Sequence, residues 1–180
     1  MREIEVKARV KDKDDLLAKA KALGIYFSEA TSQDDTTYET TMSYHDPGWN
    51  IFRIRKQSGK TILTMKYKAS SRSRDNHERE TVIGDAGEMA DMLQRLGYAR
   101  GVRIHKHRQI AKHNHLELCL DEVDDLGTFI EVEKLAADDA DVDAVQESLW
   151  QLLLKLGVDP GDRVHKGYDT LMHEFLKIEK

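Results

Sequence analysis

Seven segments of this chain place charged side chains at every second position. Glu3, Glu5, Lys7 and Arg9 lie in the first, Arg53 and Arg55 in the second, Lys66 and Lys68 in the third, and Glu78 and Glu80 in the fourth. Lys106 and Arg108, then Glu117 and Asp121, then Glu131 and Glu133 complete the series. On a strand, residues two apart point the same way, about 6.6 Å from one another, so each set shares a face. Acidic and basic pairs fall mostly on different strands, and like charges side by side are destabilising unless opposite charge lies between them. Clustered carboxylates suit a hard divalent cation such as Mg²⁺ or Mn²⁺. Lys and Arg around them suit phosphate oxygens, Arg through bidentate contacts. A metal-chelated polyphosphate meets both demands, and phosphoryl chemistry is mostly positioning and charge stabilisation. The competing reading is the solvent face of an ordinary sheet.

Two periodicities alternate along the chain and supply the elements that carry these residues. Strands are expected at roughly 3–10, 35–44, 50–57, 61–69, 77–83, 102–111, 115–122 and 128–134. Helical stripes lie between them: Leu16, Leu17, Ala20 and Leu23; Met89, Met92, Leu93 and Leu96; and Val142, Val145, Leu149, Leu152, Leu153 and Leu156. Each stripe ends in Leu-Gly before an apolar residue, at Gly24, Gly97 and Gly157, which reads as a left-handed helix stop. Asp85 followed by Glu88 resembles a capping box, and Tyr168 to Phe175 suggests a terminal helix. The expected architecture is one α+β domain over residues 1–180, dominated by antiparallel sheet. The helices need a sheet face to bury against, and Ile4, Val6, Ala8 and Val10, with Leu63 and Met65, provide it. If the sheet curls into a barrel with helices outside, the charged faces line its interior, which is too costly to leave dry.

Composition narrows the function classes. The 180 residues carry 28 Lys and Arg against 33 Asp and Glu, a net charge of -5, which argues against a nucleic-acid-coating protein. No apolar run reaches the roughly 18–20 residues of a membrane span, and the charged N-terminus is unlike a signal peptide. The one cysteine, Cys119, excludes an internal disulfide and fits a reducing cytoplasm; it reads as an inert thiol. His105, His107, His113 and His115 invite a zinc reading, but His105 and His107 have opposite parity to Lys106 and Arg108 and should point away from the charged face. Arg72 and Arg74 sit in a Ser-rich loop, and no GxxxxGK phosphate loop is present.

Glu3-Ile4-Glu5-Val6-Lys7 resembles the ExExK signature of the CYTH superfamily, the triphosphate tunnel metalloenzymes. Further matches follow in family order: Phe52-Arg53-Ile54-Arg55, Leu63-Thr64-Met65-Lys66, Lys106-His107-Arg108, Leu120-Asp121-Glu122-Val123, Leu126 to Glu133, and Lys166-Gly167-Tyr168. The resemblance implies an antiparallel eight-stranded β-tunnel with a charged interior and helices packed outside. It implies metal ligands among Glu3, Glu5, Glu131 and Glu133, with Asp121 and Glu80 nearby. Lys7, Arg53, Arg55, Lys66, Lys106 and Arg108 would grip the phosphates, and Glu5, Lys106 and Arg108 would act in catalysis. Asn76 departs from the pattern, standing where the family has Arg ahead of Glu78 and Glu80, and only two residues precede the signature.

The expectation is therefore a cytoplasmic enzyme using Mg²⁺ or Mn²⁺ on a small triphosphate, with no nucleic acid or membrane partner and with a homodimer left open. The whole-chain pattern is similar to the class IV adenylyl cyclase, CyaB-like, branch, which makes cyclic AMP and pyrophosphate from ATP. The short N-terminus favours instead a triphosphatase acting on inorganic, thiamine or nucleoside triphosphate. A non-catalytic polyphosphate or nucleotide binder is the remaining alternative, and the retained acids argue against it.

Overall fold

The computed structural model describes residues 2–41, 49–68, 76–137 and 139–178. Arg72 and Arg74 lie outside the described residues. In chain order the elements are β1 (Arg2–Arg9), α1 (Lys13–Ala22), β2 (Thr31–Glu39), β3 (Asn50–Gln57), β4 (Lys60–Lys68), β5 (Asn76–Ile83) and α2 (Ala86–Arg95). There follow β6 (Ala99–His113), β7 (Leu116–Val123), β8 (Gly127–Ala136), α3 (Val142–Lys155), β9 (Arg163–Val164) and α4 (Tyr168–Ile178). Among the described residues there are nine strands rather than the expected eight. The additional one, β9, has two residues, pairs with Lys7 and Ala8, and is too short to show a period.

The chain forms two compact units. The first comprises Met1–Thr31 and Lys106–Gly167, the second Ser32–His105 and Tyr168–Lys180, so β6 contributes to both. In the first, the strand order is β6-β7-β8-β1-β9 and the pairings are antiparallel. Strict alternation gives each of its strands two characters. Ile4, Val6 and Ala8 of β1, Leu118 and Leu120 of β7, and Ile130 and Val132 of β8 are buried in one core with Leu16 and Ala20 of α1 and Leu149 and Leu153 of α3. The charged residues alternate with these and take the other face. In the second unit the order is β5-β4-β3-β2-β6. There Tyr38 and Ile54 pack with Leu93 of α2, flanked by Phe52, Leu63, Met89 and Tyr98.

The helix ends follow the sequence closely. Asp12, Asp85 and Asp141 cap α1, α2 and α3, each accepting from a backbone N–H of the first turn. Glu88 supplies such an amide to Asp85, as the capping-box spacing suggests. Gly24, Gly97 and Gly157 adopt φ of +75°, +93° and +87°. The apolar residue after each glycine reaches back to close the last turn, Ile25 to Ala20, Tyr98 to Leu93 and Val158 to Leu153. A Cβ at Gly97 would meet nothing within 4 Å, so its only obstacle is backbone conformation. Gly97→Ala should lower stability by about 1–2 kcal/mol, the cost of holding an L-residue in the left-handed region. Urea denaturation of the two proteins measures it.

Candidate active site

Register decides which charges meet. In the first unit Glu5 lies opposite Glu133 and Lys7 opposite Glu131 across β1 and β8. Glu117 also lies opposite Glu133, Cys119 opposite Glu131, and Arg108 opposite Asp121. All of these therefore share one face. Lys7 is 2.9 Å from Glu131, and the Arg108 Nη2 is 2.6 Å from the other oxygen of the same carboxylate. Arg108 also donates to Asp121 in bidentate fashion, Nε to Oδ1 at 2.7 Å and Nη2 to Oδ2 at 2.5 Å. Lys106 donates to Asp121 Oδ2 at 3.1 Å. Lys7, Lys106, Asp121 and Glu131 are all 6% exposed or less, so their charges persist only because they neutralise one another. The pairs join three cations, Lys7, Lys106 and Arg108, to two carboxylates, Asp121 and Glu131.

A second cluster on the same face has the opposite sign. Oxygens of Glu3, Glu5 and Glu133 lie within 4.8 Å of one another. Glu133 is pushed up to about 8, first by burial and then by the charges of Glu131, Glu3 and Glu5. Glu131 behaves in the opposite way. Burial would raise it, but Lys7, Arg108 and Lys106 outweigh burial and hold it well below the usual carboxylate range. Adjacent acids of one strand are thus driven apart by their neighbours, one deprotonated by bases and the other crowded by acids. The trio is a hard, oxygen-only donor set, which suits a hard divalent cation. Glu117, Cys119 and Glu133 also approach one another. Burial pushes the Cys119 thiol well above its ordinary value and keeps it protonated, so its sulfur is a poor metal donor.

The second unit has its own charged face. Arg55 donates to Asp35 through Nε at 2.7 Å and Nη2 at 2.8 Å, and Asp35 is buried. Arg53 Nη2 spans Thr64, Glu78 and Glu80 at 3.2, 3.4 and 3.3 Å, while its buried Nε makes no hydrogen bond. Lys66 pairs with Glu78 at 2.5 Å, and Thr64 donates to Glu80 at 2.7 Å. Burial would raise Glu78, yet Lys66 and Arg53 lower it. Glu80 therefore belongs to this basic neighbourhood, whereas the acid trio lies in the first unit.

Asp121 and Glu131, expected among the metal ligands, are bonded to Arg108 and to a lysine each. Sequence reading passed over Asp35, Thr64 and the pair formed by Glu39 with His173, whose Nε2 is 3.0 Å from Oε1. Asp35 had a signal, since it alternates with Gln33 and Thr37 on β2, but that strand begins at Thr31 rather than at residue 35. His173 had none, because its partner is 134 residues away. Gly101 makes room here: a Cβ would stand 2.3 Å from a Glu39 oxygen and 2.4 Å from the Thr37 hydroxyl. His105 contacts Ser32 and His107 lies opposite Glu122, away from the Arg108 face.

A family model described as the CYTH domain matches residues 1–168. The chain belongs to the CYTH domain family. This CYTH chain is 29% identical over 169 residues to the protein MJ0240 of Methanocaldococcus jannaschii, provisionally named an adenylate cyclase, covering 93% of the chain and 97% of that protein. It is 25% identical over 180 residues to the adenylate cyclase CyaB of Aeromonas hydrophila, covering 98% and 91%. The solved structure of PH1012 from Pyrococcus horikoshii superposes with a TM-score of 0.78 at 27% identity, over 94% of this chain and 98% of that one. At 17% identity and a TM-score of 0.57, HpAC1 from Hippeastrum shares the fold over 92% and 91% of the two chains; that protein is described as having a dominant triphosphatase activity. The CYTH fold here is α+β, with mostly antiparallel strands and four helices among the described residues.

The two shifted glutamates of this CYTH site act in separate pH windows. Glu133 binds its proton more tightly when folded, about 8 against an ordinary 4.5. The stability it contributes is present below the unfolded value and is lost as pH rises through that interval. Glu131, held low, contributes stability above the ordinary value and loses it as pH falls. In EDTA, the denaturation midpoint should therefore decline from about pH 5 to about pH 8. Glu133→Gln should abolish that decline while leaving the acid limb unchanged. Urea titrations across the range measure both.

Proposed function

We propose that the charged face carrying Glu3, Glu5, Glu133, Lys7, Lys106 and Arg108 binds and processes a metal-chelated triphosphate. The supporting observation is the adjacency of an acid trio and a cluster of three cations on one sheet face. Together they match the two halves of a chelated polyphosphate. Glu3, Glu5 and Glu133 would hold Mg²⁺ or Mn²⁺, which when bound neutralises phosphate oxygens and polarises the phosphorus under attack. Lys7, Lys106 and Arg108 take phosphate oxygens, and Glu131 keeps Lys7 and Arg108 in place. Arg53, Arg55 and Lys66, with Glu80 as an acid beside Arg53, give the second unit a charged face of its own that suits phosphate oxygens. On this reading residues 1–180 act as one CYTH-like domain.

The reaction proposed is that of a class IV adenylyl cyclase-like enzyme. The substrate's 3′-hydroxyl oxygen gives up its proton to solvent and bonds to the α-phosphorus, the bond from that phosphorus to the bridging oxygen breaks, and cyclic AMP and pyrophosphate leave. Resemblance to proteins named adenylate cyclase along nearly the whole chain supports this choice. A triphosphatase is the second reading, favoured by the activity described for HpAC1 and by a face whose contacts address charge rather than a base. There, a water oxygen bonds to the terminal phosphorus, the bond from that phosphorus to its bridging oxygen breaks, and orthophosphate and the remaining diphosphate leave, with the water's proton passing to solvent. The substrate is a small molecule in the cytoplasm in either case.

Incubation with ATP, thiamine triphosphate and tripolyphosphate under Mg²⁺ or Mn²⁺, with product analysis, separates these outcomes. Cyclic AMP with pyrophosphate is expected; orthophosphate in its place would select the triphosphatase, and binding without turnover would leave a sensor. Glu5→Gln keeps the side chain's shape but removes a charge from the trio. It should lower turnover by about two orders of magnitude, with an apo denaturation midpoint equal to or above that of wild type because one charge of the crowded trio is gone. Wild-type rates in that variant would overturn the metal assignment.

A further inference from the structure

We propose that Asp121 is a positioning residue that presents Arg108 and Lys106 to phosphate, and that it does not ligate the metal. The inference rests on the proposed triphosphate site and concerns the division of labour among its acids. Asp121 is fully buried at the centre of the charged face. Oδ1 accepts from Arg108 Nε, and Oδ2 accepts from both Arg108 Nη2 and Lys106 Nζ. Three of the roughly four in-plane lone-pair directions of the carboxylate are taken by donors on two side chains, and both directions on Oδ2 are filled. Among the described residues, the groups of three side chains whose ligand atoms converge closely enough to share a cation are Glu3, Glu5 and Glu133, and Glu117, Cys119 and Glu133, the latter through the Cys119 sulfur. Asp121 is in neither.

The geometry assigns it a different task. A guanidinium held through its Nε edge by one carboxylate cannot rotate about its long side chain, so its orientation is set before any ligand arrives. Glu131 takes Arg108 Nη2 as well at 2.6 Å, which leaves Nη1 as the terminal nitrogen without a bond to either carboxylate. Asp121 thus converts two flexible cations into a fixed pair, and the order it imposes reduces what the phosphate must immobilise.

Three measurements test this. Mn²⁺ binding to the apo protein, followed by electron paramagnetic resonance, should stay within about twofold of wild type in Asp121→Asn and fall more than about tenfold in Glu5→Gln. Tripolyphosphate binding in EDTA, followed by calorimetry, should weaken about tenfold in Asp121→Asn. It should weaken little further when Arg108→Lys is added, because the aspartate acts through the arginine. Mn²⁺ affinity falling in Asp121→Asn as steeply as in Glu5→Gln, or fully additive losses in the double variant, would overturn the assignment. Should Asp121→Asn fail to fold, the Arg108 Nε–H resonance of the wild-type protein decides. It should keep its hydrogen-bonded shift through an Mg²⁺ titration, and its release by Mg²⁺ would show Asp121 turning to the metal. If wild type bound neither Mn²⁺ nor tripolyphosphate, the triphosphate reading would fail and this inference with it, a result distinct from loss confined to the Asp121 variant.

Discussion

Arg108 held between Asp121 and Glu131 is the interaction on which the first unit's charged face depends. Burying a single ionised side chain costs several kcal/mol unless opposite charge and hydrogen bonds compensate. Here buried Lys7 and Lys106 and half-buried Arg108 are packed together with two buried carboxylates, and each ion is the condition for its neighbours' remaining charged. Removal of one member would strand the others, so the network constrains the residues tolerated at all five positions. Such a cluster is weak evidence for stability, because apolar residues of similar volume would fill the same space at less electrostatic cost. A phosphate ligand that takes the fixed cations would give such a cluster a role beyond stability.

The same network explains the divergent behaviour of Glu131 and Glu133. They are two residues apart on β8 and face the same way, yet one lies opposite Lys7 and the other opposite Glu5. Cross-strand neighbours, rather than position along the strand, set the local potential. A basic pocket and an acidic pocket can therefore adjoin within the spacing of adjacent strand positions. A chelated polyphosphate has that polarity, with metal at one side and phosphate oxygens at the other. The second unit repeats the device with Arg55 clamped by Asp35 and Arg53 spread over Thr64, Glu78 and Glu80.

The proposed function would follow from this arrangement through charge placement. Phosphoryl transfer makes few covalent demands on a protein and many electrostatic ones. On that proposal, fixed cations and a trio of carboxylates supply these from strand positions, which are held more rigidly than loop positions. The apolar side of β1, β7 and β8, packed on α1 and α3, supplies the support that keeps the charged side in register. Slippage of one residue would exchange the two faces, so the hydrophobic core and the site specify each other.

Strict alternation at Glu3 to Arg9 already showed, in the residues alone, which side chains share a face, because period two is a local property of an extended backbone. The three Leu-Gly helix stops were equally legible, since a left-handed residue closes its own helix. The family resemblance was legible too, as ordered motifs spread along nearly the whole chain. What the linear sequence could not supply was partnership. That Asp121 faces Arg108, that Asp35 clamps Arg55, and that Glu39 meets His173 across 134 positions all depend on register and on packing between distant segments. Two-residue β9 and the buried Thr64 escaped for the same reason: their places are set by neighbouring strands. Local periodicity determined which charges line one face, and the pairing of strands decided which of them neutralise one another and which remain for a ligand.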